Sequence, residues 1–420
     1  MLSVLRDVVP ALALAALLVI AYLHLPQWVE AVAGVLAPAM ALSTGALGRA
    51  GVRRELGHLQ PVVVFLSAIL VVSEACRAAG VFAAIGQRLA LLGRPQLILA
   101  LTFVVATATT VALSLDATVV LLTPVVVVAA ASAGVAGRPG ELACVRLANS
   151  ASLLLPVSNL TNLLALPSLG LSFSRFALLM SPVWLVVVLV EYAASRWWFR
   201  RDLRRPPGQI DPDRSVHPEP DPLPAFPLTV VGLMLVGFAV TSPLGIAPAW
   251  VAVVAATVLV LSLIKTRQLT LTQAANSANV PFAIFVLGLG IVVAVLSRTW
   301  LGDLVAQLVP TYDGLGALLV LAVLGAVLAN LLNNLPATLL IVPLVAPLGA
   351  LPALAALVGI NIGSSMTWTG SLANLLWRRT LRAAGVTPPS RDFHLLGLLA
   401  SPVAIVLGVA VLHAWAGIVS

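Results

Sequence analysis

The chain has 420 residues, 60% of them hydrophobic and only 9% charged, with a formal net charge of +8. No soluble core needs so much apolar sequence, so the composition indicates an all-α polytopic membrane protein with about ten spans. The basic excess does not point to nucleic acid, because the arginines stand singly or in small groups between apolar runs and read as topology determinants.

An N-terminal segment, 1–60, is expected to hold two spans, at about 9–25 and 28–48. The first apolar run follows Arg6 and Asp7 and ends in HLPQW (His24–Trp28), so it reads as a span rather than a cleavable signal. A first half, 61–197, supplies spans at about 61–79, 143–166 and 174–197. Residues 80–93, with Gln87 and Arg88, have the pattern of a short amphipathic helix lying at the interface. The run 96–134 is too long for one span and is broken at LSLDAT (Leu113–Thr118), which suggests a re-entrant hairpin with a polar tip. Residues 198–227 are rich in Arg, Pro and Asp without apolar period, and read as a solvated linker. Two connecting spans, at about 228–243 and 247–264, occupy the segment 228–280. A second half, 281–420, supplies spans at about 281–297, 354–377 and 394–416. Its run 314–348, broken at NLLNNLPAT (Asn330–Thr338), is a second candidate hairpin.

The halves carry versions of one another. NSASLLLPVSNLTNLLA (Asn149–Ala165) returns as NIGSSMTWTGSLANLLW (Asn361–Trp377), with Asn149, Leu160, Asn162, Leu163 and Leu164 all repeated at the constant offset that separates Asn361 from Asn149. Pro61 and Pro281 open the halves, and LLTPVV (Leu121–Val126) and LIVPLV (Leu340–Val345) close the hairpins. Three spans and one hairpin per half make an odd number of crossings, which predicts an inverted repeat. Loop charge agrees: of the 23 basic residues, Arg6, Arg49, Arg53, Arg54, Arg175 and Arg298 fall on one side and all the others, including Arg77, Arg146, Arg196 and Arg378, on the other. The positive-inside rule makes the richer side cytoplasmic, with the linker, and places both termini outside.

Polar residues inside such spans are costly and mark candidate sites. Asp116, at the first tip, suits a group that picks up and releases a proton, although an Asp there could also cap the following helix arm. Asn333 and Asn334, at the second tip, suit a neutral polyhydroxy ligand or an ion, with turn chemistry as the bland alternative. Ser158, Asn159 and Asn162, with Thr369, Gly370, Ser371 and Asn374, would line the breaks in the two interrupted spans, where ligand contact and self-capping are both open. Glu74 and Arg77 are spaced to pair on one helix face, and Glu191 is expected to snorkel near a span end. Cys76 and Cys144, separated in apolar sequence, read as packing residues rather than a disulfide or a metalloid site. The five histidines are scattered and no nucleophile, phosphate-loop or metal motif occurs, so no enzyme activity, metal or cofactor is expected. Transport energy must come from an ion gradient or from another subunit.

ALSLDATVVLLTP (Ala112–Pro124), ANSASLLLPVSNLTNLL (Ala148–Leu164), ANLLNNLPA (Ala329–Ala337) and GINIGSSMTWTGSLANLLWRR (Gly359–Arg379) resemble the ArsB-type arsenite and antimonite permeases of the ion-transporter superfamily. That superfamily also holds sodium–dicarboxylate symporters, citrate–metal transporters and NhaD-type antiporters. The resemblance covers about 60–197 and 280–400, and departs from the family pattern at Ser114, Leu115, Ser364, Ser365 and Trp368. It implies export of arsenite or antimonite by proton antiport in a bacterial plasma membrane, with a cytosolic ArsA-type ATPase as a candidate partner. A homodimer is compatible with it. On this reading Asp116 exchanges the proton, and Ser114, Thr118, Ser158, Asn159, Asn162, Asn333, Asn334, Thr369, Gly370, Ser371 and Asn374 form the substrate site. A sodium- or proton-coupled transporter of carboxylates or other anions is the alternative.

Overall fold

In the computed structural model, residues 2–23, 25–204, 220–311 and 313–419 are described; every described element is helical. The chain opens with α1 (Leu2–Leu23), α2 (Gln27–Ser43) and α3 (Arg49–Ala78), followed by the short α4 (Val81–Ala90). Then α5 (Pro95–Ala112) reverses at Ser114 into α6 (Leu115–Ala117), a π-helical turn (Thr118–Leu122) and α7 (Thr123–Ser132). A broken helix comes next, α8 (Arg138–Ser150) and α9 (Leu160–Leu169), and then α10 (Phe173–Trp198). After the linker come α11 (Ala225–Thr241), α12 (Pro248–Lys265), α13 (Leu271–Ser277) and α14 (Val280–Leu296). The remaining elements follow in a similar order: short α15 (Trp300–Leu308), the pair α16 (Leu315–Leu332) and α17 (Asn334–Val345), a broken helix α18 (Ala350–Gly363) and α19 (Leu372–Ala383), and α20 (Ser390–Val419). The last helices of the two halves also share a motif, LLMSPV (Leu178–Val183) in α10 and LLASPV (Leu398–Val403) in α20.

Ten described segments are long and apolar enough to cross a membrane. They are not the ten spans expected from sequence. Both arms of the first pair (Pro95–Ala112 and Leu115–Ser132) and Leu315–Leu332 qualify, while α2 and the pieces of the two broken helices are too short. Helix α3 begins twelve residues before Pro61 instead of at it. An internal Pro removes one backbone hydrogen bond, and the run of good helix formers around Arg53, Arg54 and Glu55 carries the helix outward regardless. Helix α4 lies where an amphipathic helix was expected; its counterpart α15 and the capped turn α13 gave no signal that was recognised. Of the expected linker, 205–219 lie outside the described residues. Both of its ends are tied to the first half: Gln96 donates to Leu203 O, Gln87 Nε2 donates to Asp221 Oδ2 (2.9 Å), and Arg88 donates to Asp221 O (2.8 Å).

Close helix packing rests on small residues. A Cβ on Gly359 of α18 would lie 1.8 Å from Ala322 O of α16, and one on Gly288 of α14 would lie 2.1 Å from Gly34 O of α2. Without a strong hydrophobic drive between helices in lipid, such backbone approach supplies the packing energy. Gly359→Ala is therefore expected to destabilise by roughly 1–3 kcal/mol or more, the cost of overpacking a closed interface. Gly232, where a Cβ meets nothing within 4 Å, is the control. Thermal unfolding in detergent checks the pair: a Gly359→Ala melting temperature equal to that of Gly232→Ala would refute the packing claim.

One expected surface group is buried. Glu191 does not snorkel; it is fully buried and makes a bidentate pair with Arg146, at 2.5 and 2.8 Å. Ser150 Oγ also donates to Glu191 (3.0 Å), and Arg146 reaches Ser401 Oγ at 3.4 Å. Arg146, expected among the loop charges, lies within α8 (Arg138–Ser150) and is fully buried. The expected Glu74–Arg77 pair is present on α3, at 2.5 and 2.7 Å.

Candidate functional site

Among the described residues four non-glycine positions have positive φ, and two of them are the reversal points Ser114 (φ 133°) and Asn333 (φ 78°). With ψ of 167° and 155°, both lie in a region that is essentially glycine-only and costs about 1–3 kcal/mol per residue. They are equivalent positions, since each lies ten residues before the matching prolines Pro124 and Pro343. Strain held twice at the same place marks the tips as built features.

Between the tips the broken helices are stitched together by fully buried amides. Asn149 Nδ2 donates to Asn374 Oδ1 (2.8 Å), and Asn361 Nδ2 donates to Asn162 Oδ1 (2.8 Å). In the sequence correspondence Asn149 matches Asn361 and Asn162 matches Asn374, so each bond joins the counterparts of the residues joined by the other. The local bonds repeat too. Asn162 Nδ2 donates to Ser152 O and Leu155 O, and Asn374 Nδ2 donates to the equivalent Ser364 O and Thr367 O. An unpaired amide in this setting would cost about 1–3 kcal/mol, which is why the polar breaks survive inside apolar helices.

A small cavity of about 30 Å³ sits where the two tips meet the first break. Ser114, Leu115 and Asp116 come from one tip and Asn334 and Leu335 from the other; Ser158, Asn159 and Leu160 come from the break, with Leu372 and Ala373 opposite. Phe65, Leu66 and Ile69 of α3 and Phe282 of α14 close the side. Asp116 is the one ionisable residue among these lining residues. The buried Ser114 Oγ and Asn334 Oδ1 have no hydrogen-bond partner among the described residues. Native proteins rarely leave such atoms bare, which sets these two side chains apart from the scaffold amides. Asp116, Phe282 and Leu372 also line a much larger vestibule of about 940 Å³, whose walls carry Glu30, Glu74, Asn276 and Arg379. Asp116 thus stands at the junction of the two spaces.

Five of the twelve expected site residues come together here: Ser114, Asp116, Ser158, Asn159 and Asn334. Ser158 Oγ donates to Val111 O (3.0 Å), and Asn159 Oδ1 caps α9 by accepting from Thr161 N (3.1 Å). The other seven lie around the cavity and are committed to the scaffold. Thr118 bonds Thr110 Oγ1 (2.7 Å), Asn333 Nδ2 donates to Thr369 O (3.0 Å), and Ser371 caps α19 through Asn374 N (3.2 Å). Asn162 and Asn374 belong to the amide stitch, Gly370 leaves room for Ser364 O, and the Thr369 side chain is exposed. Sequence reasoning missed Phe65, Phe282 and the vestibule residues Glu30 and Arg379 as parts of these spaces, since they carry no local pattern. The linking role of Asn149 and Asn361 did leave a signal, their places in the repeat.

Residues 1–358 match the family model described as citrate transporter, CitMHS. The chain belongs to the CitMHS family. Among curated proteins, this chain is 28% identical over 299 positions to the arsenical pump membrane protein of Escherichia coli K12, covering 65% of this chain and 66% of that protein. The Yersinia enterocolitica arsenical pump membrane protein is 28% identical over 297 positions, with 65% and 66% coverage. The chain thus spans about two thirds of the length of these curated relatives. Among solved structures, the Alcanivorax borkumensis YdaH transporter matches with a TM-score of 0.57 at 18% identity, over 89% of this chain and 90% of that one. This CitMHS member is therefore a multi-pass membrane transporter with the YdaH type of fold, and its similarity to arsenical pump membrane proteins agrees with the motif resemblance.

Proposed function

We propose that the protein exports arsenite or antimonite across a bacterial inner membrane in exchange for protons. The observation that carries this is the make-up of the small cavity: amides and hydroxyls, one carboxylate, and no lysine or arginine among its lining residues. Arsenite is a weak acid and enters such a site as a neutral trihydroxide, whose O–H groups need acceptors and whose oxygens need donors. Asp116 as a carboxylate accepts a solute hydroxyl in a charge-assisted bond; once protonated, one oxygen becomes a donor and the other is only a weaker, neutral acceptor. Proton and solute then compete for one site, which is the condition for antiport. Ser114, Ser158, Asn159 and Asn334 complete the contacts. Thr118, Asn162, Asn333, Thr369, Gly370, Ser371 and Asn374 hold the tips and breaks around the solute.

In this reading the two halves are inverted in the membrane and the tips belong to re-entrant hairpins that move together. The vestibule opens to the cytoplasm, where loop arginines concentrate. Its Glu74 is paired with Arg77, and Glu30 faces Arg379, so a neutral solute meets little net charge before Asp116. A cytosolic ArsA-type ATPase and a homodimer belong to the same reading and are tested by copurification and by mass in detergent.

The family description favours a second reading, coupled transport of citrate or another carboxylate. A tricarboxylate would need cations that the cavity lining lacks. Everted vesicles with an imposed proton gradient separate the two. Gradient-driven accumulation of arsenite without accumulation of citrate is the expected result, and the opposite pattern overturns the arsenite proposal.

A further inference from the structure

Asn361 lies on α18 in the second half and is fully buried; it does not line the cavity. Its side chain nevertheless reaches the cavity-lining Asn159 of the first half. Asn361 Oδ1 accepts from Asn159 Nδ2 at 3.1 Å and from Thr161 Oγ1 at 2.7 Å. We propose that Asn361 is a positioning residue for the solute site, holding the Asn159 amide so that an acceptor oxygen is what a bound solute meets.

The direction of each amide follows from fixed groups. Asn162 Nδ2 faces the carbonyls of Ser152 and Leu155, which can only accept. Asn162 Oδ1 is thereby left to accept from Asn361 Nδ2, and Asn361 must present its oxygen to Asn159. Asn159 Nδ2 has two hydrogens, and both are used, one on Asn361 Oδ1 and one on Ser152 Oγ (3.1 Å). Its Oδ1 has two lone pairs, and Thr161 N–H takes one. What Asn159 has left for a solute is one lone pair, aimed by a neighbour from the other half. This inference rests on the cavity being the solute site, and it adds a class of contact: Asn159 receives a solute O–H.

The two-fold mate supplies the control. Asn149 is as deeply buried as Asn361 and equally bonded, to Asn374 Oδ1, Val145 O and Ser364 Oγ. The residue equivalent to Asn159 is Ser371, a helix cap that does not line the cavity. A purely structural role predicts the same effect for both asparagines. A positioning role predicts different effects.

The experiment is the concentration dependence of arsenite uptake into everted vesicles for the unaltered protein and for Asn361→Ala, Asn149→Ala, Asn159→Ala and Asn361→Asp. Asn361→Ala is expected to raise KM about tenfold, the worth of one oriented hydrogen bond, with Vmax per folded protein within about twofold. Asn149→Ala is expected to lower the yield of folded protein and leave KM unchanged. Asn361→Asp restores KM, because a protonated carboxyl keeps both the acceptor for Asn159 and a donor for Asn162; it also serves if Asn361→Ala does not fold. Equal KM values for the Asn361→Ala and Asn149→Ala proteins, or an Asn361→Asp protein with a raised KM, overturn the positioning role alone. No arsenite uptake by the unaltered protein, or an unchanged KM for Asn159→Ala, overturns the cavity reading and this inference with it.

Discussion

Asp116→Asn is expected to reduce gradient-driven arsenite accumulation in everted vesicles by about 10–100-fold, the equivalent of one hydrogen bond to a charged group. The substitution is nearly isosteric and keeps a neutral side chain at the junction of cavity and vestibule, which is where the protonated carboxyl would stand. The fold should survive, because none of the four ion pairs among the described residues includes Asp116. What disappears is the choice between proton and solute, so the imposed gradient no longer drives uptake. The position equivalent to Asp116 in the second tip is Leu335, so no second carboxylate stands ready to take over. Accumulation equal to that of the unaltered protein would remove Asp116 from the coupling step.

The second large effect concerns stability. Glu191→Ala would leave Arg146 buried without its partner, and is expected to cost about 3–5 kcal/mol. Nη1 of Arg146 already has no hydrogen-bond partner among the described residues, so the loss of Glu191 adds to an unmet demand. The positions that match them in the sequence correspondence are Val358 and Val411, both apolar. The double variant Arg146→Val/Glu191→Val is therefore expected to recover most of the loss, since an apolar pair replaces a buried ion pair at little or no net cost. Thermal unfolding in detergent and the monodisperse fraction after solubilisation measure both. A double variant no more stable than Glu191→Ala would mean that the pair does more than satisfy its own charges.

The ion pair also shows where sequence reasoning stopped. Arg146 stands in RPGELACVRLANS (Arg138–Ser150), near the start of an expected span, and reads from sequence as one of the loop charges. Only the partner on α10, forty-five residues away, makes burial tolerable, and nothing local announces it. Asp116 is the opposite case. A lone carboxylate within the run 96–134 has no apolar explanation, so its cost alone made it a candidate. The amides lie between these cases. Several of these side chains, among them Asn162, Asn333 and Asn374, bond protein groups around the breaks. Whether a given Asn faces solute or a neighbouring carbonyl depends on a rotation of the helix break, which sequence spacing does not define once the backbone leaves the regular helix.

By itself the sequence determined the apolar elements, the two interruptions per half, and the correspondence between the halves. Each of these is a local property: burial in lipid demands apolar runs, and a polar break within one must be satisfied or used. The tertiary structure decided which breaks share a space. It brought Ser114, Asp116 and Asn334 to one cavity with Ser158 and Asn159, and it turned Asn333, Asn162 and Asn374 away into hydrogen bonds. That choice is made by contacts between residues some two hundred positions apart, such as Asn159 with Asn361. Such pairs are specified jointly by both halves, because each amide takes its orientation from the partner it meets across the two-fold.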